Sequence, residues 1–310
     1  MITVAGEALM DIVADAAGTL TPLPGGAPFN VARIVSRLGE QSSYLGLLSA
    51  DQFGARLRAE LLGAGVQLAT PAAVSAPTTL ALAQLDAGGS ADYHFYVQGT
   101  SAVALRRDDV PPGLLDGCRA LALGALSIVY EPIRSTLLEL VEQAPASVLV
   151  LLDPNCRPHA IPDLESYRRT IERLVKRADM IKASVEDLEL ICPARDPLTY
   201  AAELVARGPA AVVVTDGPNS VTLITRDGLR SIPVPSVEVV DTIGAGDAVV
   251  AGLLAWLAGH PDVDPRAAAL EVWQGAVGAA VEVAAAVCTT HGATLPDGFS
   301  WIGGRAPLMR

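Results

Sequence analysis

Positive charge is scarce in this chain. Lys and Arg number 22 against 34 Asp and Glu, which sets the formal net charge at −12. No basic run stands out among the 310 residues, so nucleic acid is not an expected partner, since binding a phosphate backbone needs clustered cations. Cysteine is sparse as well. Cys118, Cys156, Cys192 and Cys288 form no Cys-x-x-Cys pair and have no metal-ligand spacing with the four histidines. They are expected to be free thiols in a reducing cytosol. Long apolar runs are missing too: Val249–Gly259 is brief and Ala276–Cys288 is interrupted by Glu282, so no membrane span is expected. Met1–Glu7 has neither the basic start nor the apolar core of a signal peptide, and the expected location is the cytoplasm. Internal repeats and low-complexity tracts are absent.

What is present is a βαβ rhythm. Short apolar runs at Ala120–Leu126, Ser147–Asp153, Met180–Ala183 and Ala211–Thr215 show little alternation, as in strands covered on both faces. Helical patterns separate them at about Pro132–Gln143, Leu164–Arg177 and Pro197–Arg207. A doubly wound, mainly parallel sheet flanked by helices is the expectation. A last long helix is expected to start with Asp264 as N-cap and Pro265 in its first turn, with Gly292 past its end. The first third differs. A helix opens at Ala27-Pro28-Phe29-Asn30 and ends at Gly39, with Val31, Ile34, Val35 and Leu38 on one face. Around it lie two hairpin patterns, Asp11–Leu23 and the pair Thr79–Asp86 and Asp92–Gln98 joined through Gly88-Gly89. Strands inserted at about 11–23 and 79–100 imply a small β sheet covering a cleft of one domain spanning 1–310.

The most informative segment is Asp241-Thr-Ile-Gly-Ala-Gly-Asp247-Ala-Val-Val-Ala-Gly252. It joins the β-rich run Ser236–Val240 to the apolar helical run Ala248–Leu257. Gly244, Ala245 and Gly246 let a bound group approach the backbone. Helix-start N–H groups have no partner within the helix and can hold an anion. Asp247 places a carboxylate beside that anion site, where it can take a proton from an attacking hydroxyl. Upstream, Gly25-Gly26-Ala27-Pro28-Phe29-Asn30 puts an amide in a first helical turn, able to donate to and accept from a polyol hydroxyl. Alone, each motif reads more readily as a Gly-rich turn with a helix cap.

In this order the two segments resemble the signatures of the ribokinase-like carbohydrate kinases, also called the phosphofructokinase-B family. The resemblance runs from Gly6 to Gly292, and the Ala-Pro after Gly25-Gly26 is the fructokinase-like form. One departure is Val249, where the family often has Phe. The resemblance implies an ATP-dependent kinase with a β lid that often serves as a dimer interface. It implies that Asp247 is the base and that Gly244, Ala245 and Gly246 form the anion hole. Asp11, in Gly-Glu-x-Leu-x-Asp, would grip the sugar together with Gly25, Gly26 and Asn30. Asp51 would either cap the following helix or touch ligand.

Asp153-Pro-Asn155-Cys-Arg157 resembles the family's Asp-x-Asn-x-Arg element, with Arg157 neutralising the moving phosphoryl and Asp153 and Asn155 ordering the substrate side. Lys182-Ala-Ser184-Val-Glu186-Asp187 stands where the family has Asn-x-x-Glu. The implied roles are nucleotide contact for Lys182 and Ser184, and magnesium held through water by Asp187 or Glu186. Thr215 and Gly217 would meet nucleotide phosphate, Gly292 would wall the adenine, and Asp241 would sit near a monovalent-cation site, with potassium as the candidate.

Fructose is the expected acceptor. Ribose, 2-keto-3-deoxygluconate and a nucleoside stay open, because Tyr96 is followed by Val97-Gln98 and not by the Arg of many fructokinase-like lids. A sugar acid would need a cation there, for which Arg106 and Arg107 are the candidates. A non-catalytic sugar sensor would be expected to lack the base. A dinucleotide oxidoreductase would need Gly-x-Gly-x-x-Gly after the first strand, where the chain has Gly6-Glu7-Ala8.

Overall fold

The computed structural model describes residues 1–14, 18–85 and 91–301. Nine strands form the main sheet. Across it from one edge they are Gly228–Ile232, Ser220–Thr225, Ala211–Asp216, Met180–Ser184, Leu149–Asp153, Ala120–Gly124, Ile2–Ala5, Ser42–Leu45 and Gln67–Leu68. All neighbours are parallel from Ala211–Asp216 to the Gln67–Leu68 edge, and the first two strands close the other edge as antiparallel hairpins.

The lack of alternation in these strands has a direct structural cause. In Leu149–Asp153, Leu149 and Leu151 face one core while Val150 and Leu152 face the other. Ala211–Asp216 splits in the same way, Ala211 and Val213 against Val212 and Val214. Successive side chains point to opposite faces, and helices cover both. One face carries Ala27–Arg37, Ala245–Gly259 and Leu270–Val287, and the other carries Ile133–Glu142, Leu164–Val175 and Pro197–Ala206. Val31, Ile34, Val35 and Leu38 are all buried, as the periodicity of the first helix requires.

The lid is a four-stranded sheet in the order Leu20–Gly25, Leu9–Ala14, Thr79–Leu85, Ala91–Tyr96. Its central pair is parallel and its outer pairs antiparallel. The register places Asp11 opposite both Leu23 and Ala81, and Ala81 opposite Phe95, so these share one face. The expected Gly88-Gly89 turn lies outside the described residues.

Three expectations are corrected. Ser236–Val240 is not a strand but an irregular, mostly exposed segment. Pro233 and Pro235 remove ladder donors just before it, and the Val240 amide donates to the Cys288 carbonyl (2.9 Å). The last helix starts at Leu270 with Ala269 as N-cap, while Asp264 and Pro265 form a separate turn in which Asp264 accepts from the Arg266 amide (3.1 Å). By length and composition alone Leu270–Val287 suffices to cross a membrane, but half of that stretch is buried and it packs on Ala245–Gly259 as a core helix. Finally, the run Ala120–Leu126 divides into the strand Ala120–Gly124 and a short 3-10 turn, Ala125–Ile128.

Candidate active site

Two cavities open at the C-terminal rim of the sheet, where an open α/β sheet offers its ligand sites. One, of about 490 Å³, lies beneath the lid and is lined by Asp11, Gly26, Asn30, Asn155, Arg157 and Asp247 among others. The other, of about 620 Å³, lies across the first turn of Ala245–Gly259 and is lined by Thr215, Gly217 and a largely apolar wall. Thr242 and Gly246 border both, so the cavities meet at the start of that helix.

The local sequence makes this junction. Gly244 is the N-cap in a left-handed conformation (φ 80°), and a side chain there would collide with Ala293, its Cβ only 2.3 Å from that of Ala293. The Ala245 amide is taken by the Thr242 carbonyl (3.2 Å), which corrects its expected place among the free anion-hole donors. The amides of Gly246 and Asp247 have no acceptor among the described residues. Among the described residues the Gly244 amide is free as well, so of the three expected donors only Ala245 is taken, and Asp247 adds one.

Asp247 is 7 % exposed. Its Oδ2 accepts from Asn30 Nδ2 at 2.9 Å, while Asn30 Oδ1, buried in the same wall, has no partner among the described residues. Burial pushes the Asp247 carboxyl above its usual range, and Asn30, Lys182 and Arg157 pull it back. Asp11 is raised to about 6, chiefly by burial, with Arg157 lowering and Asp247 raising it. Gly25 is needed because a Cβ there would lie 2.0 Å from the Asp11 carboxylate. Arg157 is exposed on the rim and lines the lid cavity, and among the described residues its guanidinium donates only to the Cys156 carbonyl (3.2 Å).

Behind the junction, Lys182 Nζ lies 3.2 Å from Asp153, both side chains buried. A Cβ on Gly246 would be only 2.9 Å from that ammonium, which places the ammonium directly against the helix start. Burial works against the Lys182 charge, but Asp153, Asp187 and Asp247 outweigh it and its pKa rises. Asp153 is raised to about 7 by burial, with Lys182 opposing and Asp187 and Asp247 reinforcing. Asp153 and Lys182 thus form the floor behind the site rather than the lining of either cavity.

Other expected site residues fall elsewhere. Ser184 and Asp187 form a reciprocal capping box, and Asp187 also accepts the Cys156 amide at 2.6 Å. With both oxygens holding backbone N–H groups, Asp187 does not fit a direct metal ligand, and Glu186 is exposed. Among the described residues, no cluster of three or more His, Cys, Asp or Glu is arranged for a metal ion. Asp241 accepts from Ile243 (3.0 Å) and Gly292 (2.9 Å) and so ties the segment before the helix to the loop after the last one. Asp51 caps Gln52–Gly63 through the Gly54 amide and also holds Thr78, so it is structural. Arg107 pairs with Glu139, Arg106 sits in an exposed 3-10 turn, and neither lines the lid cavity.

Glu7 and His159 are among the lining residues that had no role in the sequence reading. Glu7, 1 % exposed, accepts from the Leu126 and Ser127 amides (3.4 and 3.1 Å). Burial raises it to about 7, against the lowering by these and its own amide, with Asp247 adding to the rise. Its signal was an acidic residue two positions after the end of the first strand. His159 lines the same cavity, two residues beyond Arg157, and no local pattern marks it.

A buried carboxylate at a helix start, between a polar cavity under a β lid and an apolar cavity on a doubly wound sheet, defines a phosphotransferase of the ribokinase-like kind. The model of the pfkB family carbohydrate kinases matches residues 1–298, and the chain belongs to that family. It is 35 % identical over 261 residues to a fructokinase of Rhizobium leguminosarum bv. trifolii, covering 83 % of this chain and 79 % of that one. A fructokinase of Klebsiella pneumoniae is 36 % identical over 270 residues, with coverage of 86 % and 87 %. Among solved structures, a fructokinase from Xylella fastidiosa with bound ATP superposes with a TM-score of 0.84 at 27 % identity, covering 94 % and 93 %. An aminoimidazole riboside kinase from Salmonella enterica, complexed with aminoimidazole riboside and an ATP analogue, gives 0.81 at 26 %, covering 94 % of each chain. The chain is an ATP-dependent sugar kinase.

Proposed function

We propose that the enzyme transfers the γ-phosphoryl of ATP to a primary hydroxyl of fructose. The observation that carries this reading is the place of Asp247, at the helix start where the two cavities meet. Asp11 and Asn30 hold the sugar, and Asp247 takes the proton of its hydroxyl as that oxygen bonds to the γ-phosphorus. The bond to the bridging oxygen breaks and ADP leaves. The Gly246 and Asp247 amides and Arg157 meet charge on the moving group. Asn155 orders the Arg157 segment, and Thr215 and Gly217 meet the remaining phosphates. Magnesium would arrive on the nucleotide phosphates, with water rather than Asp187 filling its shell.

Fructose rests on the Gly-Gly-Ala-Pro and Lys-x-Ser forms and on the fructokinase relatives. The lid without a cation after Tyr96, and the likeness to a riboside kinase, favour a nucleoside as the second reading. Potassium near Asp241 and a homodimer through the lid complete the proposal. On the lid face turned from the cavity, Leu20 and Tyr96 are 58 % and 59 % exposed.

The test is ADP release from Mg-ATP over fructose, ribose, glucose, 2-keto-3-deoxygluconate, adenosine and inosine, with and without potassium, using Asp247→Ala as blank. Turnover of fructose well above the other acceptors, lost in the variant, is the expected result. Preferred turnover of another acceptor overturns the substrate assignment.

A further inference from the structure

We infer that Lys182 is a positioning residue of the phosphoryl transfer: its ammonium, fixed by Asp153 behind Gly246, supplies the positive charge against which the Asp247 carboxylate works as base. The inference rests on reading Asp247 as that base.

Lys182 and Asp153 stand on neighbouring parallel strands, Met180–Ser184 and Leu149–Asp153. Nζ lies 3.4 and 3.2 Å from the two Asp153 oxygens. The ammonium is 2.9 Å from the point that a Gly246 Cβ would occupy, and no Asp153 atom comes within 4 Å of that point. The ion pair is therefore oriented, with its ammonium toward the start of Ala245–Gly259 and its carboxylate away from it. Asp247 is the next residue of that helix turn, and the missing side chain at Gly246 leaves room for the approach. Lys182 lines neither cavity, so it acts through Asp247 and not by touching sugar or nucleotide.

Asp247 needs such a charge because of what surrounds it. Burial raises Glu7, Asp11 and Asp153, and Asp247 adds to each rise, a repulsion that is mutual. His159 shares the lid cavity from its rim. Burial also raises Asp247 itself, while the Asn30 hydrogen bond and the Lys182 and Arg157 charges lower it. The two cations differ in kind. Arg157 is exposed, where water and salt screen it. Lys182 is 4 % exposed, and a buried charge reaches its neighbour with far less screening. Burial works against the Lys182 charge in turn, and Asp153, Asp187 and Asp247 outweigh it, so the ammonium stays charged. A carboxyl can take the sugar proton only in its ionised form. Asp153 thus keeps the ammonium in place, and the ammonium keeps Asp247 ready.

The experiment is the pH profile of kcat/KM for the best acceptor at saturating Mg-ATP, with calorimetric ADP binding, on the full chain. The variants are Lys182→Met and the double variant Lys182→Met, Asp153→Asn, the second because a lone buried Asp153 destabilises the first. The acid limb belongs to the coupled carboxyls as a set. Removing the Asp153 charge alone lowers that limb or leaves it, so an upward move in the double variant isolates the loss of the ammonium. The expected result is an acid limb displaced upward by ~1 pH unit in the double variant and at least as far in the single one, with kcat on the alkaline plateau and the Kd for ADP within ~10-fold of wild type. A limb that stays in place in the folded double variant overturns the inference, as does a loss of kcat that is equal at every pH. Weakening of ADP binding beyond ~10-fold also overturns it, because Lys182 then touches the nucleotide. If Asp247→Ala keeps its turnover, the reading of the base itself fails; an unmoved limb beside an inactive Asp247→Ala removes only the role of Lys182.

Discussion

Replacing Asp247 with Asn should make this protein more stable and far less active at once. The side chain is 7 % exposed and its Oδ2 takes one hydrogen bond, from Asn30 Nδ2 at 2.9 Å. An Asn carbonyl accepts the same bond in the same shape, so neither the helix start nor Asn30 has to move. What disappears is a buried carboxylate whose pKa burial raises, a charge the fold holds at a cost. Relieving such functional strain typically stabilises by ~0.5–2 kcal/mol. For a chain of this size that is a rise in Tm of ~1–3 °C. The amide cannot take the hydroxyl proton, so kcat should fall at least ~100-fold, about 2.7 kcal/mol of barrier, with KM for the sugar changed much less. Thermal melts and coupled ADP-release kinetics on one preparation read both quantities. If kcat stays within ~10-fold of wild type, Asp247 is not the base. If Tm drops by several degrees, the carboxylate belongs to the fold and the reading of a cost held for function is wrong.

Gly244→Ala places a Cβ 2.3 Å from the Ala293 Cβ at φ 80°. Strain and overpacking together should cost about 2–5 kcal/mol in urea unfolding and reduce kcat by displacing the Gly246 and Asp247 amides; a neutral variant would mean that the loop yields freely. Lys182→Met leaves Asp153 buried without its partner at 3.2 Å. The expected loss is ~3–5 kcal/mol, most of it recovered in the double variant Lys182→Met, Asp153→Asn, and a double variant no more stable than the single one contradicts the pairing. The pH dependence has a definite sign. Glu7 rises from 4.5 to about 7 on folding, so between these values the folded state holds more protons than the unfolded state. Its contribution of about 3 kcal/mol is present in acid and is lost as pH rises through about 7, a slope that Glu7→Gln should flatten in urea titrations from pH 5 to 9.

The fold was legible because its signals are local. Strands buried on both faces read as unbroken apolar runs, and the helices between them show their own period, so runs such as Ala211–Thr215 and Pro197–Arg207 land within a residue or two of the observed elements. Misreadings came where local chemistry is shared by different structures. Ser236–Val240 has strand composition, yet the prolines at 233 and 235 deny it a ladder, and Asp264-Pro265 makes a turn as readily as a helix start.

By itself, then, the sequence determined the βαβ order, the Gly-rich helix start with Asp247 in its first turn, and the Gly25–Asn30 segment. Each follows from residues within a few positions of one another. Only the tertiary structure decided which of the ordered motifs face each other. It brought Asn30 onto Asp247 across 217 positions of chain and set the Lys182 ammonium against Gly246. It tied the two Asp187 oxygens to the Ser184 and Cys156 amides. It also made titrating groups of Glu7, Asp11 and Asp153, since a carboxyl is raised by what is packed around it, and local sequence does not encode that packing.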